Sequence, residues 1–219
     1  MSTKNLFDQK LEKLRRDILD MSSLVEEDLG KALAALRNND KELVKEVKAN
    51  DKLVNEMQLK IEDETSIVIA TESPVAGDLR ELVTIFKITG NIERIGDHAV
   101  HLAKTAGKFA SDPPFRSTGR LEKMAETGQK MFRMAITAFL NKDAAAARIA
   151  ADMDNLIDGE HKLLTEEVLD HIREKKSNIK KAIRLLNTSG YLERLGDHIT
   201  NICESIIYMV EVKHVELNN

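Results

Sequence analysis

The nine residues at positions 90–98, GNIERIGDH, recur at positions 190–198 as GYLERLGDH. Six of the nine positions are identical, and two of the other three exchange Ile for Leu. So dense a match between the two halves of a chain indicates an internal duplication. The protein is therefore predicted to consist of two copies of one unit, related by a pseudo-twofold axis or a simple repeat.

Each half of the chain has the composition and periodicity of long helices. Three prolines and ten glycines in 219 residues leave few breaks, and Ala, Leu, Lys and Glu are plentiful. Apolar residues recur at spacings of three and four along three stretches of each half, and Asp28 is the only break in the first stripe. We predict an all-α protein of two tandem three-helix bundles, formed by six long antiparallel helices.

Local signals set the predicted boundaries. Ser73 and Pro74 suit the N-cap and first position of the third helix. The run Asp112-Pro113-Pro114 ends that helix and separates the two repeats, predicted over residues 1–112 and 115–219. In the second half we predict helices starting at Ser117, Asp143 and Ser177 and ending near Leu140, Glu174 and Val212.

Charge and hydropathy exclude several classes of function. The net charge is −4 and Trp is absent, so general attraction to nucleic acid or anionic lipid is not expected. We find neither a secretory signal nor an apolar run long enough for a membrane span. The single cysteine, Cys203, fits a reducing compartment. We expect a cytoplasmic protein that does not insert into membranes.

Acidic side chains recur in both repeats at helical spacing. On a helix, carboxylates four residues apart project from one face, and neighbouring antiparallel helices place two such turns side by side. The candidate metal ligands are Asp51, Asn55, Glu93 and Asp97 in the first repeat and Asp154, Asp158, Glu193 and Asp197 in the second. Oxygen donors select hard cations such as Mg²⁺, Ca²⁺, Mn²⁺ or iron, and His98, His101 and His198 are available for softer ions.

A solvated charged surface is the alternative interpretation of these acids. Repulsion at this spacing costs about 0.2–0.5 kcal/mol, and a helical Gly such as Gly96 or Gly196 costs about 1 kcal/mol relative to Ala. Because both unfavourable choices occur in both repeats, we favour a metal site.

The third helix also carries apolar residues outside its core stripe. Leu79, Leu82, Val83 and Phe86 precede the acidic turn on the same predicted outer face. A strip of this kind implies a contact surface that the other repeat, a second subunit or another protein covers. We expect a homodimer.

The sequence lacks GxxxxGK[ST], GxGxxG, HExxH, CxxC and GxSxG motifs, so we do not expect an enzyme. A regulatory adaptor is the leading hypothesis. A metal-dependent hydrolase that activates water at the carboxylates and a purely structural helical scaffold are the alternatives.

Three segments together resemble the PhoU family of phosphate-uptake regulators: residues 73–80, SPVAGDLR, residues 93–97, ERIGD, and residues 193–201, ERLGDHITN. The resemblance covers nearly the whole chain. It implies metal clusters of iron or zinc at the acidic turns. It also implies a cytoplasmic regulator that restrains phosphate uptake and phosphate-starvation signalling through the ATPase subunit of the phosphate ABC transporter and a sensor histidine kinase.

The two repeats depart differently from that pattern. Asn55 stands where the second repeat has the acid Asp158, and His101 stands where Asn201 keeps the commoner family residue. We therefore predict a less anionic first site and stronger metal binding in the second repeat.

Overall fold

The computed structural model of the protein describes residues 3–38, 40–109, 118–173 and 179–218. All regular structure within these ranges is helical. The helices are α1 (Thr3–Asn38), α2 (Lys41–Glu72), α3 (Ala76–Phe109), α4 (Thr118–Asn141), α5 (Ala144–Asp152), α6 (Asp154–Arg173) and α7 (Ile179–Glu211). The all-α prediction is confirmed.

The apolar stripes predicted from the sequence form the core. On α3 and α7 the described members of both stripes are buried: Ile85, Ile88, Ile92, Ile95, Ala99, Leu102, Leu185, Leu192, Leu195, Ile199, Ile202 and Ile206. Cys203 is also fully buried, and its burial raises the pKa of its thiol to about 12. Periodicity alone was sufficient to orient these helices, because a long helix buries one stripe against its neighbours.

The start of α3 differs from the prediction. Ser73 does not cap α3; it ends α2 in the left-handed conformation, with φ 49° and ψ 57°. The helix α3 begins at Ala76, and the Leu79 N–H donates to the Val75 carbonyl at 2.9 Å. Proline disfavours the α conformation in the residue before it, so Ser73 leaves the helix and the new one starts beyond Pro74.

The predicted fifth helix is interrupted at Met153 and forms α5 and α6. The Met153 N–H donates to the Ala150 carbonyl at 3.2 Å, and the Leu156 N–H donates to the Met153 carbonyl at 3.0 Å. Both bonds span three residues, so the helix tightens locally. The predicted plan of six long helices is confirmed with this one local interruption, after which α6 begins at Asp154.

The helices form two bundles that share a continuous hydrophobic core. Helices α1, α2 and α3 pack together, as do α4, α7 and the α5–α6 pair, while α3 packs on α7 and α1 on α4. Across the α3–α7 contact, His198 bonds to Asn91 and the His98 ring lies 6.1 Å from the Tyr191 ring. His98 and Tyr191 are the counterparts of His198 and Asn91 in the other repeat, 100 residues away. Each repeat therefore makes the same contact with the other, as a pseudo-twofold axis requires.

A buried carboxylate adds a polar link between the bundles. Glu81 on α3 is 2% exposed and forms ion pairs with Arg15 of α1 at 2.6 Å and with Lys142 of the α4–α5 turn at 2.5 Å. A buried charge is stable only when paired, so these contacts help to fix the second bundle on the first.

The predicted repeat boundary at residues 112–115 lies outside the described residues, as do the predicted helix starts at Ser117 and Ser177. The division into residues 1–112 and 115–219 stays a prediction. Among the described helices, none combines the length and the apolar character that crossing a bilayer requires.

Candidate functional site

The fold brings each predicted set of ligands together along the edge of a helix pair. In the first cluster, Asp51 and Asn55 lie on α2 and Glu93 and Asp97 lie on α3. In the second cluster, Asp154 and Asp158 lie on α6 and Glu193 and Asp197 lie on α7. The carboxylates of each cluster are close enough to raise one another's pKa.

The first cluster is partly buried and partly neutralised. Burial, and then the charge of Asp97, raises the pKa of Asp51 and of Glu93. The side chains of Glu93 and Asp97 are 14% and 33% exposed, so they lie at the α2–α3 edge rather than fully in solvent. Arg94 contacts Asp97 at 3.1 Å and Glu93 at 3.5 Å, which reduces the negative charge of this cluster.

Asp28 on α1 is an acid that the sequence analysis did not assign to a site. It is 2% exposed, accepts a hydrogen bond from Asn50 Nδ2 at 2.8 Å, and interacts electrostatically with Asp51. Burial raises the pKa of Asp28 to about 6. The signal was in the sequence, because Asp28 is the charged residue that breaks the apolar stripe of α1.

The second cluster contains a more deeply buried ligand candidate. Asp154 is 8% exposed, and Thr200 donates a hydrogen bond to its Oδ2 atom at 3.3 Å. Burial, and then the charges of Asp158 and Asp197, raises the pKa of Asp154 to about 7. Burial also raises the pKa of Glu193 and Asp197, and neighbouring acids add to it.

Gly196 leaves the space in which the Asp154 side chain is buried. A Cβ atom at Gly196 would overlap Asp154 Oδ1 and would lie 3.1 Å from Asp154 Cγ. At Gly96 the same atom would meet only the Val54 and Val25 side chains, at the ordinary distances of 3.4 and 3.5 Å. The predicted close approach at the glycine is therefore found in the second cluster and not in the first.

The donor atoms of the two clusters suit a metal ion in chemistry. Asp154 Oδ1 and Asn55 Oδ1 are buried and have no hydrogen-bond partner in the described part of the chain. Carboxylate and amide oxygens of this kind suit hard cations. Across the described ranges, however, no three Asp, Glu, His or Cys side chains converge closely enough to hold an ion as they stand. The residues fit in chemistry and charge, and side-chain rotation would have to complete the coordination.

The histidines near the acidic turns pack between the bundles. His98 stacks on His198 with ring centroids 5.5 Å apart, and His101 lies 4.6 Å from Tyr191. Burial lowers the pKa of His98 to about 4 and also lowers that of His198. His98 and His198 are therefore neutral packing groups of the α3–α7 contact near pH 7. A role for His98, His101 and His198 as ligands of softer metals stays a prediction.

The apolar strip of α3 is narrower than predicted. Leu82 is fully buried, so its assignment to the outer face was wrong; it lies three residues before Ile85 and extends the core stripe. Leu79 and Phe86 are 38% and 43% exposed, and Val83 between them is partly exposed. We call Leu79, Val83 and Phe86 the outer strip.

A duplicated three-helix bundle with an ExxxD turn on the last helix of each copy defines a distinct class of helical protein. The family model described as the PhoU domain matches residues 18–106 and again residues 121–206. The chain belongs to the PhoU family.

Relatives and solved structures match the chain over nearly its full length. The chain is 31% identical, over 99% of its length and all of the relative's, to the "Phosphate-specific transport system accessory protein PhoU homolog" of Clostridium acetobutylicum. It is 32% identical to the homolog of the same name from Pseudomonas aeruginosa, over 96% of this chain and 89% of that one.

Two crystal structures show the same fold. The phosphate transport system regulatory protein PhoU from Streptococcus pneumoniae has a TM-score of 0.89 at 30% identity and covers 96% of this chain and 99% of its own. PhoU from Pseudomonas aeruginosa has a TM-score of 0.90 at 32% identity, over 94% and 100% of the two chains.

Proposed function

We propose that this protein regulates phosphate uptake as a metal-binding adaptor. It restrains the phosphate transporter and phosphate-starvation signalling by contacting the ATPase subunit of the phosphate ABC transporter and a sensor histidine kinase. The observation that carries the proposal is the match of both repeats to the PhoU domain, together with full-length relatives named as accessory proteins of phosphate-specific transport. We propose that the adaptor works in the cytoplasm, because there it can contact the ATPase subunit of the transporter.

The surface chemistry supports an adaptor role. The core requirements of α3 are met by its buried stripe, so the outer strip contributes little to folding. Half-exposed Leu79 and Phe86 offer the apolar contact on which protein interfaces depend. A surface of this kind regulates a partner if it binds the inhibited state better than the active state, and a coupling of about 1–3 kcal/mol is sufficient.

The acidic clusters support metal binding at the same helices. Each cluster holds like charges that raise one another's pKa, and a bound cation would supply the positive charge that stabilises the ionised carboxylates. Asp51, Asn55, Glu93 and Asp97 would hold it in the first repeat, and Asp154, Asp158, Glu193 and Asp197 in the second. Iron and zinc are the ions we propose, on the resemblance to the family, and a homodimer is the proposed assembly.

The adaptor role is tested by charging the outer strip. Phe86→Glu should leave helicity and thermal unfolding nearly unchanged, because Phe86 is 43% exposed, and should raise expression of phosphate-starvation genes in phosphate-rich medium. Leu59→Glu on α2 is the matched control, since Leu59 is an apolar side chain that is 62% exposed. Normal repression by a folded Phe86→Glu protein would reject the outer strip as the contact surface.

A further inference from the structure

The apolar outer strip of α3 has a counterpart on α7. The residues of α7 that match it at an offset of 100 are Ile179, Ile183 and Leu186, and we call them the α7 strip. Ile179 and Ile183 are 63% and 51% exposed, and Leu186 packs partly against the core. Because residues three and four apart are neighbours on a helix, the α7 strip is a continuous apolar surface. The duplication has therefore left an exposed apolar strip on the last helix of each bundle.

A glycine follows each strip by one helical turn. Gly90 comes four residues after Phe86, and Gly190 comes four residues after Leu186. A Cβ atom at either glycine would meet nothing within 4 Å, so no contact among the described residues requires a glycine there. Since Gly destabilises the interior of a helix relative to Ala, its presence in both repeats indicates that another molecule approaches the helix closely at this point.

Basic residues flank the outer strip on the side that faces α7. Arg80 and Lys87 are seven residues apart and so lie on one side of α3, where the Lys87 Nζ atom is 5.7 Å from the ring centre of Tyr208 on α7. Within the described ranges, neither residue forms an ion pair with an acid. At the matching positions of α7, Lys180 repeats the positive charge and Asn187 does not. Acidic groups on a bound segment would complement this flank, and more strongly at the outer strip.

The two strips face the same side of the molecule. Thr84 of α3 donates to the Ser205 carbonyl of α7 at 3.4 Å. Asn91 bonds to His198, so the two helices run antiparallel and the strips lie towards opposite ends of the pair. The pseudo-twofold axis exchanges the helices by rotation about a line perpendicular to the plane they share, so both strips keep the same side. At about 1.5 Å per residue, the centres of the strips are about 35 Å apart on that side.

We propose that the protein is a bivalent adaptor, in which the outer strip and the α7 strip each bind one copy of the same partner segment. That segment is amphipathic, with an apolar face for the strip and acidic residues along one flank. The inference rests on the proposed function, in which the outer strip contacts a partner. The two strips share an apolar face, a following glycine and an orientation, so one segment chemistry fits both.

Two equivalent sites suit a partner that is itself a twofold-symmetric dimer. Such a partner presents two copies of its segment, and binding both raises the overall affinity by about 10²–10⁴-fold over binding one. One adaptor then holds two partner subunits at a fixed separation. It favours the partner state whose segments have that separation, and this preference is what regulation by an adaptor requires.

The main test compares one charged substitution in each strip. The probes are the purified ATPase subunit of the phosphate ABC transporter and the sensor histidine kinase, with binding measured by calorimetry and sedimentation. Phe86→Glu and Ile183→Glu should each remove one of two sites for a monomeric partner, or weaken binding of a dimeric partner about a hundredfold. The double variant should lose binding altogether. Leu59→Glu on α2 is the control that should bind as the wild type does, since it charges an apolar residue that is 62% exposed.

The close approach at the glycines is tested by adding one methyl group. Gly190→Ala and Gly159→Ala should both raise the thermal unfolding temperature, because the new Cβ atom of each meets open space and Ala is the better helix former. Only Gly190→Ala should also weaken partner binding at the α7 strip, by about tenfold, because an overpacked contact costs roughly that factor. Equal partner binding by the two stabilised variants would contradict a close approach at Gly190.

The acidic flank of the partner segment is tested by reversing a charge. Lys87→Glu should slow association with the partner about tenfold or more at low salt, because like charges then face each other. Lys48→Glu makes the same change at an exposed position of α2 and should leave the rate unchanged. Equal rates for the two variants would mean that the segment carries no acidic flank at this strip.

The outcomes separate this inference from the proposed function. If Ile183→Glu binds as the wild type does while Phe86→Glu does not, bivalency is wrong and the adaptor role of the outer strip stands. If the wild type binds neither partner, both are wrong. If the protein alone forms a dimer that Phe86→Glu or Ile183→Glu dissociates, the strips bind a second copy of this chain, and the bivalent adaptor is likewise overturned.

Discussion

The two acidic clusters lie on equivalent pairs of helices, yet the most deeply buried acid at each cluster comes from a different helix of the bundle. In the first repeat the buried acid is Asp28 on α1, held by Asn50; in the second it is Asp154 on α6, bonded by Thr200. At an offset of 103 residues, Met131 and Met153 replace Asp28 and Asn50. The duplication has kept a buried acid beside each cluster while moving its position.

The clusters also differ in how much of their charge is compensated. Arg94 forms ion pairs with Glu93 and Asp97 in the first, whereas among the described residues Arg194 forms no ion pair with Glu193 or Asp197 and lowers their pKa only through its charge at longer range. Asp158 further adds a carboxylate where the first cluster has an amide.

Crowded carboxylates disfavour their own ionised state, so the second cluster gains more from a cation. A few side-chain exchanges on one backbone plan are therefore sufficient to make two sites of unequal strength.

The largest expected effect is on metal affinity. Glu193→Gln/Asp197→Asn should reduce affinity at the second cluster by about a hundredfold, or about 2.7 kcal/mol, because two direct ligands are lost. Glu93→Gln/Asp97→Asn should have a smaller effect on total binding, since the first cluster is the weaker site. Elemental analysis of protein purified without chelator and calorimetry measure both; equal losses in the two variants would contradict the comparison.

A smaller effect is expected in the pH dependence of the metal-free protein. The pKa of Asp154 is raised to about 7 in the folded state, so the native protein binds more protons than the unfolded chain above about pH 4. The free energy of unfolding should therefore fall as pH rises from about 4 to 7, by at most about 1.4 kcal/mol for each pH unit, with no further loss from this group above pH 7. In Asp154→Asn this part of the slope should disappear.

Asp28 provides the matched control for that experiment. Its pKa is raised to about 6, so its contribution is lost between about pH 4 and 6. Asp28→Asn should flatten the curve only in that window, leaving the decline from pH 6 to 7 to Asp154. Denaturant unfolding at half-unit pH intervals distinguishes the two, and a decline from pH 6 to 7 that survives Asp154→Asn would contradict the assignment.

Most of the helical framework could be predicted from the sequence, because it follows from spacing alone. The stripes of α3 and α7 repeat at an offset of 100 residues and the acids of α2 and α6 at 103, and a helix converts such regular spacing directly into shared faces. The start of α3 and the interruption at Met153 could not be predicted in this way. The start of α3 follows from the restriction that Pro74 places on Ser73, and the interruption at Met153 from local three-residue hydrogen bonds, and periodicity describes neither.

The residues of the candidate sites could be predicted from the sequence, but their burial and their contacts could not. The residue list and the greater acidity of the second cluster follow from the sequence, but the near-complete burial of Asp154 depends on Gly196 and Thr200 of another helix. The position of Asp28 was visible as a break in a stripe, and only its contact with Asn50 explains it.

The two glycines should respond in opposite directions to alanine. Gly96→Ala should stabilise the protein by up to about 1 kcal/mol, because Ala is the better helix former and its Cβ atom meets ordinary contacts. Gly196→Ala should destabilise it by about 1 kcal/mol, since the clash with Asp154 costs about 1–3 kcal/mol and helix propensity offsets only part of that. Thermal unfolding of the metal-free proteins checks the signs, and stabilisation by both substitutions would mean that Asp154 is not confined against α7.

The smallest effect is expected from the hydroxyl that distinguishes Thr200 from its counterpart Val100. Thr200→Val nearly preserves shape and removes the bond to Asp154 Oδ2, so the metal-free protein should lose about 1 kcal/mol of stability at pH 8. The loss should be smaller at pH 5, because hydrogen bonds to an ionised group are the stronger ones and Asp154, with a pKa of about 7, is then protonated. Denaturant unfolding at the two pH values measures the difference. An equal loss at both would show that the hydroxyl supports only packing, and that the buried carboxylate of the second cluster is stabilised without it.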